Sequence, residues 1–377
     1  MGERGGLVVY VTSHGFGHLN RAVAVINRMP AEVPVTVRGH PDLFDHWRER
    51  LRRPAVLDAF VSDAGAVNPP GDSAATDGAA TLELAQRVHA EAMSRVEVEA
   101  ARLRDGGAAA VLCDAPFVPL IAARRAGVPG FVLANFTWAD IYAPHARRIG
   151  AGALAFVAEV RHAYRQAVAL FRAEPAMRMA DFDRDKVIEV GMVVTPGRDR
   201  GDELRKLLGL DPDAKLVYWY VGRYGQADIG WERVAALGAK GVHFVGFHPA
   251  EVGPIPNLHV VPADGWAGAD LAASADAIVA KAGYGTACEA MAARVPIIYP
   301  PRTGFAEHRA LDSALRSWGG GLPASARAFA EMKIGRLLDR AFAMKPGPPP
   351  FPADGAARVA ERLTQTCLSW PSRGRGA

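Results

Sequence analysis

Short apolar runs alternate along this chain with longer stretches of helical composition, and the alternation occurs twice. In the first half Leu7–Val11, Val35–Arg38, Ala110–Cys113 and Phe131–Ala134 read as buried parallel strands. Leu19–Met29, Leu82–Leu103 and Pro119–Ala126 lie between them with helical spacing. The pattern resumes with Leu216–Val221, Val242–Val245, Leu258–Val261, Ala277–Val279 and Ile297–Tyr299 as strands. Repeated strand–helix alternation predicts an open parallel sheet with helices on both faces, so two Rossmann-like, doubly wound α/β domains are expected. The length agrees: 377 residues exceed the roughly 250–300 at which a single core stops growing.

The periodicity breaks near Arg172–Pro196, at Glu174-Pro175, Val190-Gly191 and Thr195-Pro196-Gly197. This predicts a first domain over 1–172, a linker over 173–196 and a second domain over 197–345. Lys345–Pro352 reads as an extended connector, after which a helix over Ala356–Trp370, in the segment 346–377, is free to cross back to the first domain. Asn68–Gly78 reads either as a lid or as a solvated connection. Asp181-Phe-Asp-Arg-Asp185 falls in the expected linker and reads as a solvated acidic turn, so no metal site is expected.

Composition removes several classes of function. The net charge is +4, from 44 basic and 40 acidic residues, with no concentrated basic patch, so no nucleic-acid partner is expected. No apolar run approaches the ~20 residues of a membrane helix, so no integral membrane segment is expected. The three cysteines, Cys113, Cys288 and Cys367, are dispersed and odd in number, which argues for a reducing compartment. With no signal-peptide pattern, a cytoplasmic location is expected.

Two segments carry chemistry. In the second half Lys281-Ala-Gly-Tyr-Gly-Thr286 follows a strand, and Gly283 and Gly285 allow a tight turn and close backbone approach to a ligand. Thr286 is expected to cap a helix whose free N–H groups favour an anion, with Lys281 as an added point charge. Glu289, one turn on, has the reach to accept hydrogen bonds from a ligand diol, so a diphosphate joined to a ribose satisfies both features. In the first half Thr12-Ser-His-Gly-Phe-Gly-His18 places His14 and His18 on a Gly-rich loop at a strand end, where doubly wound sheets bind ligands. Asp114, at the end of another strand, is placed either to orient such a histidine or to cap the helix starting near Pro116.

The stretch from Val260-Val-Pro262 through Trp266, Leu271, Lys281-Ala-Gly-Tyr-Gly-Thr and Glu289 to Val295-Pro-Ile-Ile-Tyr-Pro resembles the donor-binding signature of GT-B nucleotide-sugar glycosyltransferases. Both the peptidoglycan N-acetylglucosaminyltransferase and the plant secondary-product glucosyltransferases are similar. The His-Gly-Phe-Gly-His loop, with Gly130–Tyr142, resembles the glycosyltransferase-like region of L-arabinokinases. The resemblance implies two domains facing a cleft, with the diphosphate bound by Gly283, Tyr284, Gly285 and Thr286. It assigns the ribose to Glu289, the base to the segment around Val261, and the transferred sugar to Glu307 and His308. Gly222 and Arg223 match a second phosphate-facing loop, where Arg223 either contacts ligand or is an ordinary surface residue.

The resemblance further implies that His18 is the general base, with His14 in reserve, and that Asp114 orients it. Phe16, Asn135, Thr137 and Trp138 fall on the acceptor side. Lys281 stands where many members have a phosphate-binding histidine, and Trp266 stands where the plant enzymes have a glutamine. The implied activity is an inverting, metal-independent transfer from a UDP- or GDP-type sugar, with no cofactor. The Arg-, Ala- and Gly-rich composition suggests a GC-rich genome and, with the lack of a membrane segment, a small-molecule acceptor in bacterial natural-product biosynthesis. A UDP-N-acetylglucosamine 2-epimerase and a non-catalytic nucleotide-sugar-binding protein of the same fold are the alternatives. A homodimer is compatible with the sequence.

Overall fold

A computed structural model describes residues 5–70, 74–221, 229–250 and 252–370. The chain divides into two compact units. One comprises residues up to 67, 77–194 and those from 352 onward; the other comprises 68–76 and 195–351.

The first unit carries a seven-stranded, wholly parallel sheet. Its strands are β1 (Gly6–Val11), β2 (Val35–Gly39), β3 (Val56–Ala59), β4 (Ala108–Asp114), β5 (Gly130–Ala134), β6 (Ala169–Ala173) and β7 (Val187–Gly191), in the order β3-β2-β1-β4-β5-β6-β7. All seven residues of β4 and all five of β5 are buried, as continuous apolar runs require when helices cover both faces. The second unit repeats the plan with β8 (Lys215–Tyr220), β9 (Val242–Gly246), β10 (Leu258–Val260), β11 (Ala277–Ala280), β12 (Ile297–Tyr299) and β13 (Gly321–Pro323). Their order is β10-β9-β8-β11-β12-β13, again all parallel. Trp219, Trp231, Phe244 and Phe329 belong to the core of this unit.

The strand order reverses direction between β1 and β4 in the first sheet and between β8 and β11 in the second. At such a point the connections leave toward opposite faces and open a crevice at the carboxyl ends of the strands. Val11 and Asp114 are partners in register at the first crevice, and Tyr220 and Ala280 at the second.

The structure corrects the expected linker. Residues 187–191 are the seventh strand of the first sheet, and the first unit continues to Val194. Proline and glycine around this strand had hidden it: the β6–β7 connection has no α-helix and holds only a 3-10 turn at Arg184–Lys186. Asp181 in that connection pairs with Arg161 at 3.2 Å. The stretch 82–103 is likewise two helices, Gly78–Ser94 and Val96–Asp105, broken at Arg95. The expected loop at 68–78 contributes a parallel bridge between Ala75 and Thr303 within the second unit, and Asp77 caps the helix that follows.

The helix Gly355–Ser369 packs in the first unit against the helix Phe16–Ile26 and strands β1, β4 and β7. Its entry is fixed by main-chain bonds, Met192 N to Pro352 O (2.7 Å) and Gly355 N to Met192 O (3.1 Å). Gly191 has φ +74°, and a Cβ there would lie 2.5 Å from Pro352 O. Gly191→Ala is therefore expected to cost about 2 kcal/mol or more, from left-handed strain plus a backbone clash. Denaturant unfolding checks this; a loss within ~0.5 kcal/mol, the range of a neutral surface change, contradicts it.

Candidate functional site

In the first unit, β1 delivers the chain to Gly15, whose φ of +88° turns it into the helix Phe16–Ile26. His18 is the third residue of that helix and Arg21 lies three residues on, so the two share a face. Both point at Asp114, which ends the neighbouring strand and is fully buried. His18 Nδ1 lies 2.7 Å from Asp114 Oδ1, and Arg21 Nε donates to Asp114 Oδ2 at 2.8 Å. Arg21 Nη2 also reaches Asp114 Oδ1, and Nη1 donates to Asn135 Oδ1 at 2.8 Å. Burial opposes ionisation of Asp114, but the Arg21 guanidinium and His18 outweigh it and hold the carboxyl below its ordinary range. An ionised Asp114 accepts the Nδ1 proton of His18, which leaves the Nε2 lone pair outward, with no partner among the described residues. The group has the parts of a general base: a ring nitrogen, a fixed tautomer and an orienting carboxylate.

Asp114 is followed by a non-glycine residue in the left-handed region, Ala115 at φ +76°. Tyr164 Oη donates to Ala115 O at 2.6 Å and accepts from Trp138 N at 3.1 Å. These bonds fix the strained peptide that aims Asp114.

In the second unit, β11 ends at Ala280 and the chain turns through Lys281–Gly283 into the helix Tyr284–Ala293. Gly283 is its N-cap, and no side chain caps the first turn among the described residues. A Cβ at Gly283 would meet no described atom within 4 Å. Among the described residues, space is thus open against the positive end of a ten-residue helix, with the half-buried Lys281 two residues before. Glu289 is half-buried, with no hydrogen-bond or ion-pair partner among the described residues. Burial pushes its carboxyl up to about 7.

No family model matches the chain. L-arabinokinase of Arabidopsis thaliana is 29% identical over 345 residues, covering 89% of this chain and 32% of that protein. The chain thus spans about a third of the length of this curated relative. A kitacinnamycin glycotransferase superposes with a TM-score of 0.63 at 16% identity, covering 97% of this chain and 96% of the other. A UDP-glucosyltransferase from Polygonum tinctorium capable of glucosylating indoxyl gives 0.61 at 14%, covering 98% and 100%. A calicheamicin glycosyltransferase gives 0.60 at 16%, covering 98% and 96%. The chain has a GT-B fold.

Within this GT-B frame the structure brings His18 and Asp114 together and gives several other candidates different tasks. Thr137 is fully buried as the N-cap of the helix Trp138–Ile149, in a capping box with Asp140. Trp138 is also fully buried, its Nε1 donating to Asp63 Oδ2 at 2.6 Å, and Asn135 holds Arg21. None of these three presents an acceptor surface. Phe16 and His14 are half-buried; Phe16 packs edge-on against His46, and His14 against Trp138. Thr286 is the third residue of its helix rather than the cap. Val261 is buried, and the exposed apolar residue of its segment is Val260.

Glu307 is buried in an ion pair with Arg302 (3.0 Å), so its carboxylate is not free for a sugar hydroxyl. His308 beside it has an enclosed Nδ1 without a hydrogen-bond partner among the described residues, and burial lowers its pKa. Arg200 stacks on Trp266 at 3.8 Å, which makes Trp266 a packing residue. Gly222 and Arg223 lie outside the described residues. Sequence reasoning missed Arg21, although its spacing from His18 was a usable signal, and Asp63, which no local pattern marks.

Glu289 yields a pH prediction. Its folded-state value of about 7 lies above the ordinary 4.5. The folded state therefore keeps a proton that the unfolded state releases, and stability present at low pH is lost as pH rises through this window, by up to roughly 3 kcal/mol. Glu289→Gln is expected to match the wild type near pH 4 and to unfold at higher temperature near pH 8. A difference that does not vary with pH contradicts the assignment.

Proposed function

We infer that the chain is a glycosyltransferase that moves a sugar from a nucleoside diphosphate sugar to a small-molecule hydroxyl acceptor. The reading is carried by the buried His18–Asp114 pair at the first crevice. It is supported by the GT-B fold and by the uncapped helix start, Lys281 and the unpaired Glu289 at the second crevice. The acceptor O–H proton passes to His18 Nε2 as the oxygen attacks the anomeric carbon. The anomeric C–O bond to the diphosphate breaks, its electron pair leaves with the diphosphate, and the configuration inverts. The departing charge is met by the amides of Gly285 and Thr286, the helix dipole and Lys281. Glu289 takes the ribose hydroxyls, which favours a UDP- or GDP-type donor.

We read the reaction as metal-independent. On this reading the helix-start amides, the helix dipole and Lys281 meet the charge that a metal would otherwise neutralise. No helix among the described residues is long and apolar enough to cross a membrane.

A thermal-shift screen across nucleotides and nucleotide sugars tests donor binding, since a ligand of the native state raises its melting temperature. Transfer assays with the donor so found then test the chemistry. His18→Ala is expected to lower the transfer rate by about 100-fold or more while nucleotide affinity holds. Glu289→Ala is expected to weaken nucleotide binding by about tenfold, the loss of one or two hydrogen bonds. Transfer undiminished in folded His18→Ala sinks the base assignment. Turnover of donor with no acceptor present favours the epimerase, and nucleotide binding without any turnover favours a non-catalytic protein.

A further inference from the structure

The base assignment leaves a question of charge. Arg21 engages both oxygens of Asp114, so the negative charge of that carboxylate is already balanced when His18 gains a proton. A second positive charge would then develop with Arg21 Nη2 only 3.1 Å from the ring. Asp114 orients the imidazole but is poorly able to compensate its charge.

Asp63 can supply what Asp114 does not. It lies after β3 on a segment laid across the carboxyl end of the sheet, where Tyr142 Oη donates to Ala64 O at 3.3 Å. Gly65 is packed so closely on His14 that a Cβ there would clash with its ring. Asp63 is buried, takes hydrogen bonds from Trp138 Nε1 and the Thr12 side chain, and has no arginine or lysine partner among the described residues. Thr12, which bonds Asp63 through its side chain, donates its N–H to Asp114 O at 3.2 Å, which sets Asp63 beside the His18–Asp114 pair. The ionisable groups around it are His18, Asp114, Cys113, Tyr142 and Tyr164. Burial, more than any other cause, pushes the thiol and both phenols up, so these three stay neutral, and Asp114 is matched by Arg21. His18 is thus the one group in this set able to answer the Asp63 charge with a positive one.

We propose that Asp63 is a positioning residue that makes His18 an effective base, its otherwise unbalanced buried carboxylate compensating the charge that His18 acquires as it takes the acceptor proton. A charged His18 in turn favours the ionised form of Asp63. Burial pushes the Asp63 carboxyl up to about 6, partly offset by its hydrogen bonds and by His18. Asp63 is therefore ionised at neutral pH and lost as a counter-charge below it. The proposal rests on the reading of His18 as base, and its test separates the two.

Asp63→Asn keeps an oxygen for Trp138 and Thr12 and removes the charge. In the transfer assay its kcat/KM toward the acceptor is expected to fall about tenfold or more at pH 7.5, the scale of a weakened general base. The acid limb of the rate profile moves to lower pH, while nucleotide affinity stays within about twofold, inside the context error of a remote change. The variant should unfold at the same or a higher temperature than the wild type at pH 7.5, because an unpaired buried carboxylate has been removed. A purely structural Asp63 predicts the opposite: lower stability and an unmoved pH profile. Proton NMR of the His18 ring gives a readout without substrate, in which Asp63→Asn lowers the pH at which His18 titrates. Reciprocally, His18→Gln raises the pH at which the Asp63 carboxyl carbon titrates, and this second arm decides the matter if Asp63→Asn does not fold. An unchanged titration in either arm overturns the proposal. Coupling by NMR in a protein that transfers no sugar overturns the functional reading instead.

Discussion

The ion pair between Arg21 and Asp114 organises the first unit. It sits where the strand order reverses, joins the first helix to the end of a central strand and excludes water from both partners. A buried pair of this kind adds little net stability against an apolar substitute, because desolvation consumes most of the attraction. Its value is directional. Bidentate contact fixes the plane of the carboxylate, and that plane fixes the ring of His18. Tyr164 and the left-handed Ala115 serve the same end from the other side, so the geometry is set by four elements together.

The two units solve one topological problem with different chemistry. Both have the same strand order about their reversal point, and both place a loop there. In the first, the crevice is filled with ionisable side chains satisfied by one another. In the second, among the described residues, the helix start has no side-chain cap and the Glu289 carboxyl has no hydrogen-bond or ion-pair partner. On the proposed reading, one arrangement manages a proton inside the protein and the other holds polar capacity for a ligand brought in from outside.

How much of this was legible in the sequence follows from what sequence patterns encode. Strands β1, β2, β4 and β5 announced themselves as apolar runs because both of their faces are covered, whereas the equally central β6 was not expected. Strand β3 is an edge, with Val56 exposed, and β7 is framed by proline and glycine, so neither gave the expected signal. The pairing of His18 with Asp114 was legible because both lie at strand ends on the carboxyl edge of one sheet, where this topology brings loops together. Arg21 was readable only once the helix register was known, since one turn of helix, not a motif, brings it to Asp114. Asp63 lies on an irregular segment, and its contacts with Trp138 and Thr12 span separations that no local pattern records. Thr137 and Trp138 misled for the converse reason: a polar residue and an aromatic at a strand end look like lining, but a helix cap and a buried indole need the same residues.

The discontinuity of the first unit bears on how the chain is made. Its sheet is complete by residue 191, yet the helix that covers β1, β4 and β7 is synthesised only after the second unit. The second unit lies entirely between these pieces, apart from nine residues borrowed from the first half. During translation the later-encoded unit can therefore close first, while the earlier one waits with an apolar face uncovered. Such an order reverses the usual N-terminal-first sequence of domain folding. Until residues 355–369 emerge, the nascent first unit keeps the apolar surface of β1, β4 and β7 uncovered.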